Sequence, residues 1–217
     1  MIWFTGCPHF NHANIIKYTD RPFADVDEMN LRMQERWNKT VTNSDLIYVL
    51  GDFAISSFLQ IQQQVHKLNG VKILIKGNHD KGYVAMHKAG FHAVQKGAVV
   101  SLDGKPILLS HYPQEVLPAD VDGVFHAHVH RRTNWTLHEG KGLTNIEPFN
   151  VNLTVELWDY APVSYKVALK QLRRQLYECK QPNTKTEGRG KEPERDKQFI
   201  RGDQLESPTG DSQSSTA

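Results

Sequence analysis

Cys7-Pro8-His9, Gly51-Asp52, Gly77-Asn78-His79-Asp80, Ser110-His111 and His126-Ala127-His128-Val129-His130 are the short segments in which this chain concentrates its donor-bearing side chains. Alone, each says little: a single histidine is usually structural or solvated, and Gly-Asp occurs at many turns. Together they offer a carboxylate that can bridge two ions, an amide oxygen, and enough imidazoles to complete two coordination shells. Nitrogen and oxygen donors in this mixture suit Mn²⁺, Zn²⁺ or Fe. The chemistry to expect is that of divalent metal.

Each segment follows an apolar run. Ile2-Trp3-Phe4 reads as a first strand that stops at Gly6-Cys7-Pro8. Leu46 to Leu50 is a continuous apolar run closed by Gly51-Asp52, the pattern of a strand buried on both faces. Val71 to Ile75 is closed by Gly77-Asn78-His79-Asp80. Between these strands lie helical patterns. Asp25 caps one in which Val26, Met29, Met33 and Trp37 recur at helical spacing, with Glu28 three residues after the cap. Phe58 to Leu68 is a second, ended by Asn69-Gly70, and Lys81 to Lys88 is a short third. Further along, strands dominate: Val94–Leu102, Pro106–Ser110, Val121–His126 and Val151–Leu157, with Asp103-Gly104 as a hairpin turn. Somewhere in Val163–Lys180 a last helix places Val167 or Ala168, Leu172 and Leu176 on one face. Two packed sheets covered by helices would bury all these faces, which makes the expected fold class an α/β sandwich. In α/β sheets ligands gather at the C-terminal strand ends, where these polar loops sit.

The composition allows one substantial core: 217 residues, 39% of them hydrophobic. No run approaches the ~20 apolar residues of a membrane helix. The start lacks the basic and long apolar regions of a secretory signal, so a cytoplasmic location is expected. Two cysteines far apart, Cys7 and Cys179, make no disulfide scaffold. Charge is nearly balanced, at +2. That does not favour a nucleic-acid surface, which needs clustered Lys and Arg. Beyond Lys180 the chain turns charged and Ser/Thr/Gly-rich, with Phe199, Ile200 and Leu205 its only sizeable apolar residues, and disorder is the expectation there.

The ordered set of motifs resembles the calcineurin-like metallophosphoesterases, in particular small bacterial and phage-type members whose first motif reads Asp-x-His-Phe-Gly-His. Gly77-Asn78-His79-Asp80 is the most specific piece. Tyr18-Thr19-Asp20-Arg21-Pro22-Phe23 and Leu157-Trp158-Asp159-Tyr160-Ala161-Pro162-Val163 also look like that subgroup. The resemblance runs from Ile2 to about Val163. It implies a metallophosphoesterase domain over 1–163; the helix over 164–180 and the tail over 181–217 lie beyond the match. It further implies a first ion held by Cys7, His9, Asp52 and His130, and a second held by Asp52, Asn78, His111 and His128, with Asp52 bridging. His79 is then the group that stabilises or protonates the leaving oxygen, and Asp80 orients it. A helix N-cap is the other reading of Asp80. The implied reaction is hydrolysis of phosphate mono- or diesters by a hydroxide shared between two ions about 3.5–4 Å apart. The implied substrate is a small phosphorylated molecule, nucleotides included. No membrane partner is expected, and the oligomeric state is not legible.

The chain departs from the pattern in places. Where the family has Asp, this chain has Cys7, and His9-Phe10-Asn11-His12 fixes the register. Three readings stay open: a thiolate ligand that favours Zn²⁺ or Fe over Mg²⁺, a weak substitute that slows the enzyme, or a scaffold that binds without catalysis. Ala127 stands where Gly is usual, and costs little if its backbone keeps a negative φ. Asn11 replaces another Gly. Arg131 and Arg132 follow the last ligand, and one of them could hold phosphate with its donor fork. Arg21, His12 and Asn14 are candidates for the substrate mouth. Tyr112 could stack on a base, although an aromatic beside an apolar run is more often core. The competing functions are a nuclease or nucleic-acid phosphatase and a catalytically silent binding protein.

Overall fold

A computed structural model describes residues 1–130, 135–136, 142–143 and 147–180. The chain divides after Gln181, and every described element lies in the first unit. The expectation of disorder for the tail, and Arg131 and Arg132, fall outside the described residues.

Strands β1 (Ile2–Thr5), β2 (Leu46–Val49) and β3 (Val71–Ile75) form where the apolar runs predict them. They lie parallel in one sheet with β4 (Ala93–Gln95) and an antiparallel edge strand, β11 (Val163–Ser164). Its order is β11-β1-β2-β3-β4. A second sheet holds β5 (Gly97–Leu102), β6 (Lys105–Ser110), β7 (Gly123–His126) and β10 (Asn150–Asn152), in the order β10-β7-β6-β5. The short strands β8 (Trp135–Thr136) and β9 (Gly142–Leu143) pair with each other.

The two-residue alternation of β2 explains how two cores arise. Ile47 and Val49 face the helices α2 (Val26–Thr40) and α3 (Phe58–Lys67), meeting Met29, Met33, Trp37, Ile61 and Val65. Tyr48 and Leu50 face the other way, into a core shared with Ile107, Leu109, Phe125 and Val151 of the second sheet. The expected two-sheet α/β sandwich is therefore present. Burial of each large side chain contributes about 1.5–3 kcal/mol. Helix α5 (Tyr165–Lys180) closes the second core with Ala168, Leu169 and Leu172, leaving Val167 exposed. Among the described residues no helix is long and apolar enough to cross a membrane.

The starts of the helices are set locally. Asp25 Oδ1 accepts the Glu28 amide at 2.8 Å. Ser57 and Gln60 form a full capping box on α3, a signal the sequence reading passed over. Asp103 and Gly104 both take positive φ, as a two-residue hairpin turn between β5 and β6 requires.

Three boundaries differ from expectation. The single strand expected over Val94–Leu102 is two strands, because the chain leaves β3 at Gln95 and pairs with β6 from Gly97. The strand expected over Val151–Leu157 ends at Asn152, whose side-chain oxygen accepts the Thr154 amide at 3.0 Å and turns the chain into a 3₁₀ turn over Val155–Leu157. The last helix begins at Tyr165, after Val163 and Ser164 have paired with β1. Two short helices complete the layer: α1 (Ala13–Tyr18), inside what reads as a polar loop, and α4 (Tyr83–Lys88).

Candidate metal centre

The loops after β1, β2, β3, β6 and β7 carry the donor residues. They are stitched together by backbone. Cys7 and His9 donate their amides to Gly51 O and Asp52 O, each at 3.0 Å, so the β1–β2 pairing continues past the strand ends. Within the second sheet the Ala127 amide reaches His111 O at 3.1 Å, and across the sandwich the His128 amide reaches Cys7 Sγ at 3.2 Å. The approach needs small residues. A side chain at Gly77 would strike the Asp52 carboxyl, and one at Gly6 would strike the methyl of Ala127. Ala127 itself avoids the left-handed region, so replacing the usual glycine costs its backbone little.

Several donors do occupy that region: Cys7 (φ 49°), His9 (52°), Asp52 (54°), His128 (65°) and His130 (50°). Non-glycine residues held there cost about 1–3 kcal/mol each and persist only where surroundings over-determine them. The stitched loops do so here.

The side chains converge. Donor atoms of Cys7, His9 and His130 lie within 4.8 Å of one another, and so do those of Cys7, Asp52 and His111. Asp52 Oδ2 sits between two rings, 3.6 Å from His9 Nε2 and 3.4 Å from His111 Nε2. His111 Nε2 is also 3.0 Å from Asn78 Oδ1 and 3.0 Å from His128 Nδ1. His111 Nδ1 faces the Leu50 carbonyl at 2.8 Å, which requires an N–H at that nitrogen. A ring with its only proton on Nδ1 points an Nε2 lone pair at the oxygens of Asp52 and Asn78. Converging lone pairs repel unless a cation sits among them. His9 Nε2 makes the same case, being buried with no hydrogen-bond partner.

The electrostatics prepare such a set. Burial holds the His9 imidazole down to about 2, so it stays neutral. Burial pushes Asp52 up, but its contacts with His111, His9 and the His79 amide outweigh it and keep the carboxylate ionised. Burial, then the negative charges of Asp52 and Glu156, raise the Cys7 thiol well above its ordinary range. A thiolate there requires a nearby cation. The donor set fits divalent metal: imidazoles, an ionised carboxylate, an amide oxygen and a thiol that a cation would ionise.

The remaining candidates fall into distinct places. The His79 ring is exposed, 5.6 Å from the His9 ring, while its amide donates to Asp52 Oδ1 at 2.9 Å. His12 lies 3.4 Å from His9 through their Nδ1 atoms. Tyr112 packs on His111 and His128 and its hydroxyl donates to Asn78 Oδ1 at 3.3 Å, so this aromatic belongs to the site.

Two expectations need correction. Asp80 does not orient the His79 ring through a hydrogen bond, nor does it cap α4, whose N-cap is Gly82. Its carboxylate accepts the amides of Asp52, Phe53 and Gly77 at 2.9, 2.8 and 2.8 Å, tying the loop after β2 to the loop after β3. Arg21 is not at the substrate mouth. Its side chain is fully enclosed, 2.6 Å from Glu156 Oε1, and donates to Pro8 O and Cys7 O at 2.7 and 2.9 Å.

Glu156 itself was missed. It accepts from His130 Nδ1 at 2.9 Å. Burial pushes its carboxyl up, but His130 and Arg21 outweigh that and hold it down at about 2. A lone acid within Val155–Leu157 was the available signal. His126, beside the ligand pair, is a core residue: fully buried, held at about 4 by burial, and bonded to the Ala127 carbonyl at 2.9 Å.

No family model matches the chain. An uncharacterised protein of Methanocaldococcus jannaschii, MJ1445, is 33% identical over 176 residues, covering 80% of this chain and 92% of its own length. Gene 66 protein of Mycobacterium phage D29 is 30% identical over 129 residues, which cover 52% of this chain and 63% of the phage protein. Among solved structures, the Aquifex aeolicus protein AQ665, of unknown function, matches with a TM-score of 0.62 and 28% identity over 78% of this chain and 98% of its own. The extent of the match to the archaeal protein carries the conclusion: this chain belongs to the family of MJ1445.

Proposed function

We propose that this protein is a metal-dependent phosphoesterase that hydrolyses phosphate mono- or diesters. The observation that carries the reading is the buried convergence of lone-pair donors on Asp52 Oδ2 at the C-terminal ends of parallel strands. One ion would be held by Cys7, His9, Asp52 and His130, the other by Asp52, Asn78, His111 and His128. Mn²⁺, Zn²⁺ or Fe suit these donors better than Mg²⁺, because the thiol and imidazoles are softer than the oxygens Mg²⁺ takes. When bound, such ions acidify water and offset the charge of phosphate oxygens.

The chain's own residues supply the rest. Asp52, ionised and central, fixes the spacing of the two donor sets. The exposed ring of His79, beside His9, stands where it can give a proton to the departing oxygen. Tyr112, beside His111 and His128, and His12, beside His9, would contact the rest of a small phosphorylated substrate, such as a nucleotide.

The test is direct: measure metal content, and measure hydrolysis of generic mono- and diester substrates with Mn²⁺, Zn²⁺ and Mg²⁺. Asp52→Asn should lower both metal content and rate. A fully metallated, fully active D52N protein would sink the reading.

A further inference from the structure

One buried ion pair lies directly behind two of the candidate ligands, Cys7 and His130, and holds the Pro8 carbonyl between Cys7 and His9. The Arg21 guanidinium donates to Glu156 Oε1 through Nε at 3.0 Å and Nη2 at 2.6 Å. It also donates to Cys7 O at 2.9 Å, Pro8 O at 2.7 Å and Thr19 Oγ1 at 3.3 Å, and lies against the sulfurs of Met29 and Met33. The same Glu156 oxygen lies 2.9 Å from His130 Nδ1. Both charged side chains are fully enclosed. A carboxylate paired with arginine has no proton to give, so His130 must be the donor in that contact. A ring with that single proton has its Nε2 lone pair free for metal, and donor atoms of Cys7, His9 and His130 lie within 4.8 Å of one another. Meanwhile the guanidinium clamps the Cys7 and Pro8 carbonyls, in a loop whose Cys7 and His9 have left-handed backbone.

The other half of the centre is held differently. His111 is backed by the neutral carbonyl of Leu50 at 2.8 Å, where His130 is backed by a charged carboxylate. A carboxylate behind an imidazole fixes its orientation and raises its basicity toward metal, and losing such a partner typically costs 10–100-fold in affinity.

We propose that the Arg21–Glu156 pair is a positioning device for the Cys7, His9 and His130 donors, so that the two ions of the centre are held with unequal strength. This rests on the metal reading above. Glu156 and Arg21 act through the ligands and touch no substrate.

The experiment has two arms. In metal-free, ¹⁵N-histidine-labelled protein, long-range ¹H–¹⁵N spectra report which His130 nitrogen carries the proton. The expected result is the Nδ1–H form in the wild type and a mixture in Glu156→Gln. Calorimetric titration of the full chain with Zn²⁺ should show two unequal binding events. In E156Q the tighter should weaken about 10–100-fold, with the other unchanged. If E156Q alone fails to fold because Arg21 is left buried and unpaired, the double variant Arg21→Met/Glu156→Gln removes both charges and should show the same selective loss. An Nε2–H tautomer in the wild type would overturn the proposal, as would equal weakening of both events or no weakening in a folded variant. Failure of the wild type to take up any ion would refute the metal reading instead. The tautomer arm, which needs no ion, separates the two failures.

Discussion

The amide of His128 points at the sulfur of Cys7 from 3.2 Å, joining a loop of the second sheet to a loop of the first at the middle of the donor cluster. An N–H aimed at sulfur favours the thiolate over the thiol. Burial and the charges of Asp52 and Glu156 work the other way, and without a cation they win.

Cys7 should therefore bind metal through sulfur when metal is present. Cobalt-substituted protein should show a sulfur-to-metal charge-transfer band that disappears in Cys7→Ser, and a zinc form should show a metal–sulfur distance of about 2.3 Å. C7S should weaken metal binding without unfolding the domain. Cys7→Asp should shift preference toward Mn²⁺. An ordered, metallated structure with the sulfur turned away would refute the ligand role.

His79 presents only its backbone to Asp52 and leaves its ring exposed beside His9. His79→Ala should keep both ions and lose about 10²–10⁴-fold in rate, the range of general acid–base groups. Metal analysis alongside kinetics checks this. Loss of both ions in H79A would mean the ring is a ligand.

Asp80 satisfies amides from Gly77, Asp52 and Phe53 that have no water to turn to. Asp80→Ala should cost on the order of 3 kcal/mol in urea unfolding, because unsatisfied buried N–H groups cost about 1–3 kcal/mol each and contributions do not add fully. Metal binding should weaken as well, since the Asp52 loop loses its tether. A destabilisation under 1 kcal/mol would show that the loops hold without it.

Acid should unfold the chelated protein partly through Glu156. Its carboxyl lies at about 2 in the folded state against an ordinary 4.5. A depressed folded value means the unfolded chain binds the proton more readily. The contribution is thus complete above about pH 4.5 and is lost as pH falls toward 2, on the order of 3 kcal/mol in all. Denaturant titrations between pH 6 and 2.5 should show a steep acid limb that flattens in the R21M/E156Q double variant. Equal slopes in the two proteins would refute this assignment.

The donors were legible in the sequence because they interrupt it: Asp52, Asn78, His111 and His128 each follow an apolar run whose end is marked by a polar or small residue. What lay behind them was not. Glu156 and Arg21 are 135 residues apart, and nothing local to either announces the pairing. Asp80 offered a helix cap and a histidine partner as local readings, yet its partners at Asp52 and Phe53 are 28 and 27 positions away. The break between β4 and β5 escaped for a related reason. Gln95-Lys96-Gly97 does interrupt the apolar residues where the strand changes sheet, but periodicity carries no record of which neighbour a strand takes. Helix α1 was hidden by its polar setting, with Ile15 its one buried residue.

The contact between Gly6 and Ala127 makes these two positions a single unit of inheritance. Between the sheets there is room for one methyl group, and it is carried on the 127 side. Gly6 is free of the left-handed region, so its backbone would accept alanine; only its opposite number refuses it. Gly6→Ala alone should destabilise the domain, and Ala127→Gly in the same chain should restore most of the loss, the mark of two sites that must exchange together. A lineage crossing from one arrangement to the other would therefore have to pass through the empty seam, with glycine on both sides, because the crowded intermediate is closed to it.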